Sequence, residues 1–269
     1  MFSKKLDHIW QKNNSLVCVG LDPELSKIPQ FLHSEKYPIF EFNKQIIDAT
    51  ADLVCAYKPQ IAFYSSSGAE DQMKMTIDYI KERASDVPVI LDSKRGDIGN
   101  TAKMYAEEAF VRYQADAVTV NPFLGLDSMQ PFLDYADKGV IILCRTSNPG
   151  AKDIQDLDIK GKKLYQVIAE KAQNEWNYNK NISLVVGATY PEEVKELRAI
   201  AKDITFLIPG VGAQGGDVKA VVQNGCNEKK TGIVVSSSRG IIFAGSDKNF
   251  AEASRKAALQ LRDEINLYR

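Results

Sequence analysis

An α/β architecture is what this sequence predicts, and three observations carry it. Short β-rich apolar runs alternate with longer stretches of helical period along the chain. Those runs are nearly continuous, as strands buried on both faces require. At 269 residues, 44% of them hydrophobic, the chain is long enough to bury a sizeable core. Eight such β-α units in about 250 residues fit a (β/α)8 TIM barrel. A doubly wound sheet competes with it, because the order of elements does not show closure. No linker or shift of composition divides the chain, so one domain over residues 1–269 is expected.

The first strand, Leu16–Leu21, ends at Asp22, and the helical stretch Phe40–Ala51 follows. The second strand, Leu53–Tyr57, runs into Lys58, and Glu70–Ala84 is helical. Val87–Asp92 is the third strand, Thr101–Tyr113 its helix, and Ala117–Asn121 the fourth strand. Ser128–Tyr135 is helical and Val140–Cys144 is the fifth strand. The polar stretch Asn148–Gly161 then exceeds a usual βα connection; a functional loop and a tolerated insertion both fit it. Lys163–Trp176 leads to the sixth strand, Ser183–Gly187. Pro191 suits the first turn of Glu192–Ala201, with Thr189 or Tyr190 near the cap. Thr205–Ile208 is the seventh strand, Val218–Gln223 helical, Ile233–Ser236 the eighth strand, and about Asn249–Leu267 the last helix.

Composition excludes several functions. The 34 Lys+Arg nearly cancel the 35 Asp+Glu, so neither a basic footprint for nucleic acid nor an acidic tail exists. No apolar run reaches the ~18 residues of a membrane helix. The opening MFSKKLDHIWQKNNSL lacks the apolar core and cleavage site of a secretory signal, so a cytoplasmic protein is expected. Cys18, Cys55, Cys144 and Cys226 form no CxxC, and His8 and His33 are the only histidines, which speaks against a zinc site. Three of these cysteines sit in apolar runs and read as small buried hydrophobes in a reducing compartment. Acid–base chemistry then falls to Lys, Asp, Glu or Tyr.

The most informative segment is Val89-Ile-Leu-Asp-Ser-Lys-Arg-Gly-Asp97. Asp92 and Lys94, two apart at a strand end, point to one face, at the barrel rim where active sites sit. Asp97 follows where a helix begins. Carboxylates beside a lysine favour its ammonium form, a proton donor rather than a Schiff-base nucleophile. The plain alternatives are an N-cap for Asp97 and a structural ion pair for Asp92–Lys94. Asp22 and Lys58 end the first two strands, so charges recur at three consecutive strand ends. Gly210-Val-Gly-Ala-Gln-Gly215 matches a dinucleotide fingerprint, but six strands precede it. A phosphate loop after the seventh strand is the better reading, with Arg239 and Gly240 after the eighth; an ordinary turn and a surface arginine are the alternative. Arg145-Thr-Ser-Asn-Pro-Gly150 offers hydroxyls and an amide for the edge of a planar polar ligand, or is only a turn.

From about Cys18 to Ala244 the chain resembles the orotidine 5'-phosphate decarboxylases. Asp92-Ser-Lys-Arg-Gly-Asp-Ile-Gly-Asn-Thr101, Ser147-Asn-Pro-Gly-Ala, Pro209-Gly-Val-Gly-Ala-Gln-Gly-Gly216 and Arg239-Gly-Ile carry the resemblance. The Lys-Arg-Gly-Asp-Ile form is similar to the longer bacterial subgroup. Ser-Ser-Ser-Arg-Gly departs from the family's usual Gly-Arg-Ser or Gly-Arg-Gly. The resemblance implies loss of CO2 from C6 of orotidine 5'-monophosphate (OMP) without cofactor or metal. That gives uridine 5'-monophosphate (UMP) as the last step of de novo pyrimidine nucleotide synthesis. It implies Lys94 as proton donor to C6, Asp92 against the substrate carboxylate, and a charge network of Lys58, Asp92, Lys94 and Asp97. Asp97, with Thr101 beside it, would serve a neighbouring subunit's site in a homodimer. Asp22 and Lys58 match ribose contacts, Ser147 the pyrimidine-edge contact, and Gln214 the link between pyrimidine and phosphate loops. Arg239 matches the phosphate-binding arginine, with Gly212 and Gly240 lending backbone N–H groups. The resemblance carries over no role for Arg95, which reads as a surface or intersubunit ion pair.

Two rivals remain. A Mg2+-dependent sugar-phosphate decarboxylase or aldolase shares the barrel and a D-x-K-x-x-D strand, but Lys58 puts a cation where its metal site wants none. A non-catalytic nucleotide-binding barrel would keep the phosphate loop and lose part of the Lys-Asp-Lys-Asp set.

Overall fold

The apolar runs become strands, and closure of the sheet follows from how its two ends meet. A computed structural model describes residues 1–211 and 217–269. Its main sheet holds β1 (Val17–Leu21), β2 (Ala56–Pro59), β3 (Ile90–Arg95), β4 (Ala117–Val120), β5 (Gly139–Arg145), β6 (Ile182–Val186), β7 (Thr205–Pro209) and β8 (Ile233–Ser237). All pairings are parallel, in the order β2-β1-β8-β7-β6-β5-β4-β3. Bridges Tyr57↔Val89 and Gln60↔Asp92 join the two ends. The sheet therefore closes into a (β/α)8 barrel, and the doubly wound alternative, which leaves two free edges, is excluded.

Helices wrap the barrel and bury its outer face. Phe42, on the helix Pro38–Thr50, stacks on Phe243 and Phe250 at 5.7 and 5.2 Å, which joins the first β-α unit to the last. The longest helix outside the predicted pattern is the first. Phe2–Lys12 buries Phe2, Leu6, Ile9 and Trp10 on one face and covers the barrel's N-terminal end. A Cβ on Gly139 would overlap the Phe2 ring, and Lys5 reaches Asp116 at 3.1 Å. Phe2, Leu6, Ile9 and Trp10 recur at helical spacing in the sequence itself.

Three differences from the sequence reading bear on function. First, β2 and β3 both end further along than expected, so Lys58 and Lys94 lie inside strands. Second, β3 slips against β4: Ile90 pairs with Ala117, Leu91 with Val118, and then Arg95 with Val120. Asp92-Ser93-Lys94 form the bulge between, and Lys94 takes a left-handed φ of 48°. Third, the stretch after β5 is structured, with a short helix Ala151–Gln155 and a small hairpin, Asp158–Ile159 against Lys162–Lys163. Pro191 stands at the start of its helix with Tyr190 at the cap, as expected.

Arg198 fastens the N-terminal ends of β7 and β8 without a carboxylate partner. Its guanidinium donates to the carbonyls of Ala201, Lys202, Ile204, Gly225 and Gly232 at 2.7–3.2 Å and lies 3.7 Å from the Phe206 ring centre. Burial pulls its pKa down to about 10. Arg198→Met is expected to leave these carbonyls unpaired and lower stability by about 3 kcal/mol, or roughly 6–12 °C in Tm. Thermal unfolding followed by circular dichroism checks this; an unchanged midpoint would refute the clamp.

Candidate active site

The rim residues converge as their strand positions require. Lys58 Nζ donates to Asp92 Oδ2 at 2.8 Å and stands 4.0 Å from Asp22 Oδ1. Lys94 Nζ donates to Asp92 Oδ1 at 2.7 Å. The side chains of Lys58 and Asp92 keep only 7% and 9% of their surface exposed, and that of Lys94 keeps 45%. Lys94 is thus the open end of a buried charge chain. Burial pushes the Asp92 carboxyl up, but the ammonium groups of Lys58 and Lys94 override it and hold it well below the carboxylate range. Burial likewise pulls Lys58 down, while Asp92 and Asp22 hold it above its ordinary value. Cys18, beneath this cluster, is pushed up to about 12 by burial and stays a neutral thiol.

Asp22 completes the inner wall. Its Oδ1 is buried and accepts no hydrogen bond among the described residues. A buried acceptor left open beside a cavity is suited to a ligand hydroxyl. Gly20 on β1 lets the turn after β8 come close, since a Cβ there would overlap Ser238 Oγ. Ser236 and Ser237 end β8, and Ser238 and Arg239 follow in that turn. Arg239 and Gly240 are exposed, and the Arg239 guanidinium forms no ion pair or hydrogen bond among the described residues. Gly212 and Gln214 lie outside the described residues.

Two cavities meet at Lys58, Asp92, Lys94 and Pro209. One, of about 330 Å³, adds Asp22, the serine turn and Arg239, and is mainly polar. The other, of about 480 Å³, has an apolar floor of Leu143, Val185 and Leu207 beneath Thr146, Ser147 and Asn148. Both sizes suit a small ligand, charged at one end and flat and weakly polar at the other. Ser147 reaches this position because Gly187 follows β6: a Cβ there would stand 2.9 Å from Ser147 N.

Two predicted residues do not join the cluster within this chain. Asp97 accepts from the Ile98 amide at 2.8 Å, and Thr101 is exposed on the helix Gly99–Glu107. Neither contacts Lys94 or Asp92 among the described residues. Arg95 pairs with Glu108 within the chain, at 2.8 Å, and lies 4.3 Å from the Tyr105 ring centre. Arg145 also leaves the cavity. It is buried, ion-paired to Glu193 at 2.6 Å and to Asp156 at 3.1 Å, and so ties the stretch after β5 to the helix after β6.

Sequence reasoning missed two residues at the site. Gln155 lines the apolar cavity and exchanges two hydrogen bonds with Thr146, at 2.9 and 2.8 Å. Thr119, on β4, donates to Asp92 Oδ1 at 2.8 Å. Alternation along β4 was the available signal, since it aims Thr119 at the same interior as the third strand's Asp92.

Residues 15–254 match the model of a family described as orotidine 5'-phosphate decarboxylase / HUMPS. The chain is 56% identical over 268 residues to an orotidine 5'-phosphate decarboxylase of Dechloromonas aromatica, covering 100% of this chain and 99% of the relative. The fold superposes on a Leishmania donovani OMP decarboxylase with a TM-score of 0.86 at 37% identity, over 99% of this chain and 98% of the other. It superposes on a UMP synthase of the same organism with a TM-score of 0.89 at 39% identity, over 99% of this chain and 56% of that longer one.

Proposed function

The chain belongs to the orotidine 5'-phosphate decarboxylase / HUMPS family, and from that premise we propose how its rim cluster works. It decarboxylates OMP to UMP, the closing reaction of pyrimidine nucleotide synthesis. One observation carries the mechanism: Lys94 Nζ is the exposed end of the Lys58–Asp92–Lys94 chain and stands where the two cavities meet.

The base lies on Leu143, Val185 and Leu207 with its edge toward Ser147, and the ribose hydroxyls meet Asp22 and Lys58. The phosphate sits at Arg239 and the Gly240 N–H. C6 and its carboxylate then lie against Asp92 and Lys94. Asp92 cannot shed its charge there, so it repels the bound carboxylate, a repulsion relieved as CO2 departs. The C–C bonding pair stays on C6, a Lys94 Nζ proton moves onto C6, and the neutral amine regains a proton from solvent. No step needs an electron sink, because fixed charges stabilise the developing carbanion.

Asp97 and Thr101 serve the site of a second copy in a homodimer. Ile98 and Met104, next to them in the chain, and Phe123, Leu124 and Leu126, after β4, are exposed apolar side chains that support that reading. No helix among the described residues is long and apolar enough to cross a membrane, and the cytoplasm is the proposed location.

The sugar-phosphate rival needs carboxylates gathered on a cation, yet the Lys58 ammonium stands between Asp22 and Asp92. The test is the ultraviolet absorbance of OMP on adding purified protein, with and without EDTA. Loss of substrate absorbance at the same rate in both arms is expected. No loss in either arm refutes the assignment, and loss only without EDTA moves it to the metal-dependent branch.

A further inference from the structure

A bulge between two parallel strands has to find partners for the amides it removes from the ladder. In β3 those amides belong to Ser93 and Lys94, and both donate to one atom, Thr119 Oγ1, at 3.0 and 2.9 Å. The same hydroxyl gives its proton to Asp92 Oδ1 at 2.8 Å, the oxygen that also receives Lys94 Nζ at 2.7 Å. One donor and two lone pairs are all that a hydroxyl has, and here each is used. Thr119 is 1% exposed, so water does not substitute for it.

From this convergence we propose that Thr119 is a positioning residue for the decarboxylation, a role that rests on the function proposed above. It acts through two neighbours. Towards the backbone it satisfies the amide of Lys94 in its left-handed conformation, φ 48°, which a lysine rarely adopts unaided. Towards the side chain it fixes the rotation of the Asp92 carboxylate, so that one oxygen faces Lys94 and the other Lys58. None of the contacts proposed above for phosphate, ribose or base is made by the Thr119 hydroxyl. Losing the hydroxyl should therefore disturb turnover much more than affinity.

The experiment compares wild type, T119V and T119S on OMP, with UMP binding measured by calorimetry. Valine keeps the shape and removes the hydroxyl; serine restores it. T119V is expected to lose about 100-fold in kcat, with KM and the UMP Kd within about threefold. T119S is expected within about fivefold of wild type. Equal turnover by T119V and wild type overturns the proposal, and so does a T119S as impaired as T119V. A T119V loss confined to KM overturns it as well. Wild type that leaves OMP unchanged refutes the underlying function instead, which separates the two failures. Should T119V not fold, amide hydrogen exchange on wild type decides: protection of Ser93 and Lys94 like that of ladder amides supports the proposal, and loop-like exchange overturns it.

Discussion

Replacing Lys94 with alanine is expected to abolish decarboxylation, with kcat falling by at least about 10⁴-fold, or some 5.5 kcal/mol of barrier. Two losses combine. The departing CO2 leaves an electron pair on C6, and among the described residues no other ammonium at the junction of the cavities is open to reach it. Lys58 is buried and committed to Asp92 and Asp22. The variant also removes one of two cations beside Asp92, so the site becomes more negative where a carboxylate must bind. Folding should survive, because Asp92 keeps Lys58 and Thr119 as partners. Single-turnover absorbance measurements on OMP, with circular dichroism and UMP binding as controls, check this. A folded variant that binds UMP and retains more than about 1% of kcat would remove Lys94 from the role of proton donor.

How much of this site the sequence discloses depends on the distance over which each feature is decided. Asp22, Lys58, Asp92 and Lys94 were legible because each closes an apolar run, and a parallel barrel delivers all strand ends to one rim. The bulge that sets the Lys94 backbone was not. Alternation assumes an unbroken strand, and the slip between Leu91 and Arg95 is decided by pairing with β4. Thr119 escaped for the same reason: its partners lie some 25 residues away, and a threonine within an apolar run reads as β propensity. The role of Arg145 was not legible, because a strand-end arginine resembles its neighbours at the rim. Its burial depends on Glu193 and Asp156, which the chain brings together only on folding. The fold was more legible than the site, since eight buried strands leave a local mark and a hydrogen bond between strands does not.

Replacing Arg239 with alanine tests the other end of the substrate, far from the bond that breaks. Its side chain touches none of the reacting atoms, so loss of it should leave the chemistry of bound substrate intact if binding and catalysis were independent. They are not independent in a site that works by fixed charge. Bringing a carboxylate against Asp92 costs energy, and the phosphate contacts are where that energy is recovered. Arg239 is suited to this, for its guanidinium has no internal partner among the described residues to give up, unlike Arg145, Arg198 and Lys58. The expected result for R239A is a fall in kcat/KM of about 10²- to 10³-fold, roughly 3–4 kcal/mol. Orotidine, which lacks the phosphate, supplies the control. Wild type and R239A should turn it over equally slowly, because orotidine offers the guanidinium no phosphate to hold in either protein. If R239A slows orotidine as much as OMP, the arginine acts on the reacting end or on the fold, and the phosphate grip must be sought elsewhere on the rim.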